Sequence, residues 1–315
     1  MKSITIGKLR GLQQISSRHG TFTALALDHR QNLRKANPAF VNDEDLSRFK
    51  IEVVTGLAGE ATAVLLDPEV SAAQAIAQYA IPKDIGLVVA LESTGYTGDA
   101  TARRAQIIPG WSVEKAKRMG ASAVKLLVYY HPDSSMAKEV EGFISIIAED
   151  CIKHDLALML EPLSYSLDEN IILTSEEKRH VVVETARRLT PLHVDILKAE
   201  FPLDIQDTDE SKWLEACKEI STASRTPWIL LSAAVDYEAF VRQVIVACNA
   251  GASGIAVGRA VWKETVTMDS KDRNMFINTV GKNRLSRLTS LCNALGRPLH
   301  DFYQGVAPFN WYRNY

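Results

Sequence analysis

Short apolar runs rich in β-branched residues alternate along the chain with longer stretches whose apolar positions recur every three to four residues. The short runs fall at 22–28, 63–67, 86–92, 123–129, 157–161, 194–200, 228–232 and 254–258, and they read as strands. The longer stretches, among them 43–58, 135–154, 175–189, 210–223 and 236–250, read as amphipathic helices. Thr174, Ser175, Asp209 and Asp236 stand at helix starts, where a short oxygen-bearing side chain accepts from free backbone N–H groups. The strands are apolar almost throughout, not alternating. That implies burial on both faces, as in a parallel sheet covered by helices.

Eight strand–helix units predict an α/β protein with a single (β/α)8 TIM barrel. A doubly wound open sheet is the alternative, weakened because no GxGxxG follows the first strand. One domain is expected over 1–315, with an irregular aromatic tail from about 297 to 315 that packs on its own barrel or on a second subunit of a homo-oligomer. Two longer excursions, 93–111 and 163–174, follow strands and should rise at the face where barrel enzymes do their chemistry.

Composition adds limits to this picture. Hydrophobic residues at 46% are enough to fill a large core, so disorder is excluded. A formal charge of -2 gives no field that would gather nucleic acid or an anionic membrane, so an anionic substrate must be held by local groups. The start, MKSITIGKLRGLQQISS, lacks the apolar core of a secretory signal, and a cytoplasmic protein is expected. Cys151, Cys217, Cys248 and Cys292 are dispersed among aliphatic neighbours and read as buried free thiols. The seven histidines show no HExxH and no ligand spacing, so neither a metal nor another cofactor is expected; only His29 is assigned to the site.

Charged or hydroxyl residues closing apolar strands are the informative pattern, because in a barrel the C-terminal strand ends converge. Asp28, Asp67, Glu92 and Glu161 end the first, second, third and fifth strands, and Lys125 and Lys198 interrupt the fourth and sixth. A charged lysine in a buried strand is costly unless it is neutral or paired with a carboxylate. Either lysine alone reads equally well as a structural ion pair. Two facing one barrel mouth read better as chemistry, since a neighbouring ammonium favours the neutral, nucleophilic amine. The last two strands end in Ser232-Ala233-Ala234 and Gly258-Arg259, at the usual phosphate position of barrel enzymes, where backbone N–H groups and an arginine meet an anion.

These residues lie within longer segments. LALDHR, PGW with VKLLVYY, LEP, DILKAEFPLD, WILLSA and AGASGIAVGRAVW resemble, in order and spacing over 4–295, the class I tagatose-1,6-bisphosphate aldolases and the related sulfofructosephosphate aldolases. The resemblance implies that Lys198 forms a Schiff base, that Glu161 is the acid/base residue and that Lys125 supports the site. It also implies that Asp28 meets the substrate and that Ser232 and Arg259 hold its phosphate. The chain departs from the family pattern at two points. It reads Asp28-His29-Arg30 where DQR is usual, and Ser232-Ala233-Ala234 where SAG or SSG is usual. The second puts a methyl group where close backbone approach favours glycine.

The expected activity is thus metal-independent cleavage of a phosphorylated ketose to dihydroxyacetone phosphate and a three-carbon aldehyde carrying phosphate or sulfonate. A Schiff-base lyase acting on a deoxyribose phosphate or a keto acid, and a non-catalytic sugar-phosphate sensor, are the alternatives.

Overall fold

The computed structural model describes every residue except 205 and 208, and the side chain of 314. Strand β1 (Lys2–Ile4) lies outside the barrel, and eight parallel strands close in chain order. These are β2 (Phe22–Ala26), β3 (Ala63–Leu66), β4 (Gly86–Ala90), β5 (Ala123–Tyr129), β6 (Ala157–Leu163), β7 (Ile196–Ala199), β8 (Trp228–Leu231) and β9 (Gly254–Val257). The ring closes where Phe22 to Leu25 of β2 pair in register with Gly254 to Val257 of β9. The predicted TIM barrel is the observed fold, and the open sheet is set aside.

Strand alternation divides the core in two. Leu25, Val64, Val89, Leu126, Leu160, Leu197, Leu230 and Val257 face outward and pack beneath the helices, including Asp43–Leu57, Ser175–Leu189 and Glu210–Ala223. Ala24, Ala63, Val88, Ala123, Ala157, Met159, Ile196, Ile229 and Ala256 face inward. These inner side chains are mostly small, as a tapering interior requires. Its lower end is plugged by the helix Ile6–Ile15, through Leu12 and Ile15. Beneath them, Lys8 and Asp195 form a buried pair at 2.8 Å.

Among the named helix-start residues, Thr174 forms a full capping box with Glu177, and the Asp209 side chain accepts from the Ser211 N–H. The other two expectations are corrected. Asp236 makes no cap bond and pairs with Lys263 instead, while Ser175 lies inside its helix and accepts from the Asp204 N–H at 2.8 Å. The tail is not irregular throughout: β10 (Tyr303–Gly305) runs parallel to β1, and the Tyr315 hydroxyl donates to Asp155. Its first part packs on its own barrel, where the buried Tyr303 hydroxyl donates to the Asp195 carbonyl at 2.8 Å, whereas Val306, Phe309 and Tyr312 are exposed. No helix among the described residues is long and apolar enough to cross a membrane.

Candidate active site

The C-terminal strand ends surround a cavity of about 300 Å³. Period-two alternation builds it: the inward series on β2 runs Phe22, Ala24, Ala26 and on to Asp28, that on β5 runs Ala123, Lys125, and that on β7 runs Ile196, Lys198. One register thus fills the interior with apolar groups and puts charges at its top. A larger groove of about 850 Å³ lies outside the barrel beside the helix Asp43–Leu57, and none of the assigned site residues lines it.

Lys125 is the hub. Its Nζ lies 2.8 Å from Asp28 Oδ2, 2.5 Å from Glu92 Oε1 and 2.8 Å from Glu161 Oε2. Burial works against this ammonium, yet Asp28, Glu161 and Glu92 hold its pKa well above the ordinary lysine range. Burial likewise opposes the Asp28 charge, and Lys125 and Lys198 overcome it, holding that carboxyl well below the usual range. Glu161 is lowered by the same two lysines against burial. Glu92 goes the other way: burial raises its pKa, Lys125 offsets this only in part, and the Asp28 charge adds to it.

Lys198 Nζ approaches Glu161 Oε2 to 2.8 Å, so two lysine nitrogens share one carboxylate oxygen. Neither contact has hydrogen-bond geometry. Both lysines nevertheless touch that buried oxygen and hold the carboxylate ionised.

On the opposite wall, Ser232 Oγ accepts from the Gly258 N–H at 3.3 Å, and Arg259 lines the cavity next to them. A Cβ on Gly258 would stand 2.9 Å from the Ala26 carbonyl oxygen, so only glycine lets β9 and β2 approach this closely. Ala233 and Ala234 have φ of 41° and 61°, both in the left-handed region that glycine favours. The departure at this turn is accommodated as backbone strain. His29 lines the cavity with its Nδ1 unbonded, and burial, with Arg259 adding to it, pushes its pKa down to about 4 despite the Asp28 charge.

A model of the DeoC/LacD family of aldolases matches residues 22–264. The chain belongs to the DeoC/LacD aldolase family. It is 30% identical to a tagatose 1,6-diphosphate aldolase of Streptococcus agalactiae, covering 91% of this chain and 96% of that protein. It is also 30% identical to tagatose 1,6-diphosphate aldolase 1 of Enterococcus faecalis, over 92% and 96%. An archaeal fructose 1,6-bisphosphate aldolase shares the fold with a TM-score of 0.60 and 22% identity, over 91% of this chain and 99% of that one. This family member is therefore an aldolase, a lyase by class.

In this DeoC/LacD aldolase, Asp28, His29, Lys125, Glu161, Lys198, Ser232, Ala233, Gly258 and Arg259 all line one cavity. Asp67 does not. β3 stops at Leu66, the chain turns, and Asp67 is fully buried against Lys50 and Ser71. Glu92, named only as a strand end, belongs to the site instead, fixed by Lys125 and by the Leu127 N–H at 3.1 Å. Nor does Lys125 face Lys198 as a bare like charge, because three carboxylates surround it.

Proposed function

We propose that this aldolase works as a class I enzyme, cleaving a ketose phosphorylated at C1 through a Schiff base on Lys198. The observation that carries the reading is the Lys198–Glu161–Lys125 bridge at the cavity floor, with both lysine nitrogens 2.8 Å from one oxygen. A nucleophile and a proton carrier are then in contact, and a fixed counter-charge keeps the carrier ionised. A non-catalytic sensor has no use for that arrangement.

The Lys198 amine adds to the C2 carbonyl, and the carbinolamine loses water with protons passing through Glu161, giving an iminium. Glu161 then takes the C4 hydroxyl proton. The C3–C4 bond breaks, its electron pair moves to C3 to form an enamine, and the aldehyde leaves. Protonation at C3 and addition of water release dihydroxyacetone phosphate and return the amine. Asp28, held ionised, accepts from substrate hydroxyls, and Lys125 orients Glu161 and Asp28. The anion at C1 lies between Ser232, the 233–234 turn, Gly258 and Arg259.

The tagatose 1,6-diphosphate aldolases among its relatives support tagatose 1,6-bisphosphate as substrate, with glyceraldehyde 3-phosphate as the aldehyde. A sulfonate at C6 would make it sulfolactaldehyde. The four cysteines are free and buried, which supports a reducing, cytoplasmic setting.

The test is borohydride reduction in the presence of dihydroxyacetone phosphate, followed by mass-spectrometric mapping. The adduct is expected on Lys198 and is lost in Lys198→Met, and EDTA leaves the rate unchanged. An adduct on Lys125, or activity lost on chelation, overturns the proposal.

A further inference from the structure

The excursion after β4 carries two adjacent arginines with different surroundings. Arg104 pairs with Glu139 at 2.7 Å, and its backbone is bridged in both directions to Thr97 at 2.9 Å. Adjacent residues on a bridged segment point to opposite sides. Arg103 accordingly turns to the other side, where its guanidinium carbon lies 4.7 Å from the Tyr96 ring centre, 5.0 Å from that of Tyr165 and 5.5 Å from that of Tyr129. Its Nε donates to the Ala100 carbonyl at 2.7 Å. Among the described residues, neither terminal nitrogen has a hydrogen-bond partner and no carboxylate pairs with it. An arginine clamped by three rings, with both terminal N–H₂ groups unspent, is pre-organised for an oxyanion.

Its position says which one. Tyr129 lines the cavity, as do Ser93, Thr94 and Gly95 from the start of the same excursion. In the closed ring β2 to β9, β4 and β5 stand diametrically across from β8 and β9. The phosphate contacts Ser232 and Arg259 follow β8 and β9, so a substrate anchored there and bonded to Lys198 sends its far end toward Tyr129 and Arg103. Arg30 also lines the cavity, but its charge is taken by Glu69 and by the Glu92 carbonyl at 2.8 Å.

We propose that Arg103 is the contact for a second anion at C6, phosphate or sulfonate, and that it sets the preference for ketoses charged at both ends. The inference rests on the Schiff-base reading above and assigns its distal subsite.

The experiment runs the reaction in the condensation direction, pairing dihydroxyacetone phosphate with glyceraldehyde 3-phosphate, 3-sulfolactaldehyde or uncharged glyceraldehyde. In Arg103→Met the KM for the charged aldehyde should rise by about tenfold or more, as for loss of a charged hydrogen bond. The KM for glyceraldehyde and for dihydroxyacetone phosphate should stay as in the wild type, which also reports an intact fold. Arg103→Lys should fall between the two, since it keeps the charge and loses the planar stack. The aldehyde with the larger variant-to-wild-type ratio identifies the C6 group. An equal rise for glyceraldehyde, or no rise for either charged aldehyde, overturns the assignment. Dihydroxyacetone phosphate trapping on Lys198 does not involve the distal end. Normal trapping with no selective loss sinks Arg103 alone, whereas a wild type that does not trap sinks the Schiff-base reading and this one with it.

Discussion

Lys198 Nζ lies 2.8 Å from Glu161 Oε2, an oxygen to which no group donates with hydrogen-bond geometry. The amine and the ionised carboxylate are thus in contact before substrate arrives. Glu161→Gln keeps the shape and removes the proton transfer. The expected result is a kcat about 10²- to 10⁴-fold lower, the usual worth of a general acid–base group, with the trapped adduct still on Lys198. Steady-state rates and peptide mapping check it; undiminished kcat would move the base elsewhere.

Lys125 acts through its carboxylates. Burial opposes the Glu161 charge, and Lys125 is the largest influence holding its pKa down. In Lys125→Met that influence is gone, so the Glu161 pKa rises and the ionised base is lost at a higher pH on acidification. The acidic limb of kcat/KM should therefore shift upward. Stability should fall by about 3–5 kcal/mol, as when one partner of a buried ion pair is removed. An unmoved limb in a folded variant would limit Lys125 to a structural role.

Much of the site is legible in the sequence because a barrel writes its plan in period two. Lys125 and Lys198 stand out as polar breaks in continuous apolar strands, and the same parity that buries Ala123 and Ile196 aims both lysines at the mouth. Asp67 and Glu92 look equivalent, each closing an apolar run. The chain beyond them differs: β3 ends at Leu66 and Asp67 caps a turn through the Val70 N–H, whereas Glu92 bridges to Ile107 and stays at the mouth. Strand ends are set by tertiary packing, so sequence parity cannot separate the two. Arg103 and Arg104 are equally opaque, being neighbours in one polar loop. The plugging role of Ile6–Ile15 is hidden because a short helix with few apolar positions declares no partner.

The Lys50–Asp67 pair gives a test of that correction. Both side chains have no solvent exposure. Burial lowers the Lys50 pKa, and Asp67 opposes that shift. Asp67→Asn leaves a buried ammonium without its counter-charge and should cost about 3–5 kcal/mol in urea unfolding, while kcat of the folded enzyme is unchanged. Replacing both residues together, as Lys50→Met with Asp67→Leu, should recover most of the loss. Catalysis lost without stability would return Asp67 to the site.

His29 sets a pH window for stability. In the folded protein its pKa falls from the ordinary 6.5 to about 4, chiefly by burial, with Asp28 opposing and Arg259 assisting. Above 6.5 the imidazole is neutral in both states and contributes no pH dependence. As pH falls from 6.5 toward 4 the unfolded chain takes up a proton that the folded protein refuses, so unfolding is favoured and stability drops. Below 4 both states are protonated and this contribution levels off. His29→Gln has no proton to take up, so its stability should decline less across that window, as measured by urea unfolding at a series of pH values. The neutral ring also means that the pH profile of kcat/KM near 6.5 owes nothing to His29. If His29→Gln matched the wild-type stability profile from 6.5 down to 4, the imidazole would have to be ionising freely in the folded enzyme, and the neutral ring beside Asp28 would be wrong.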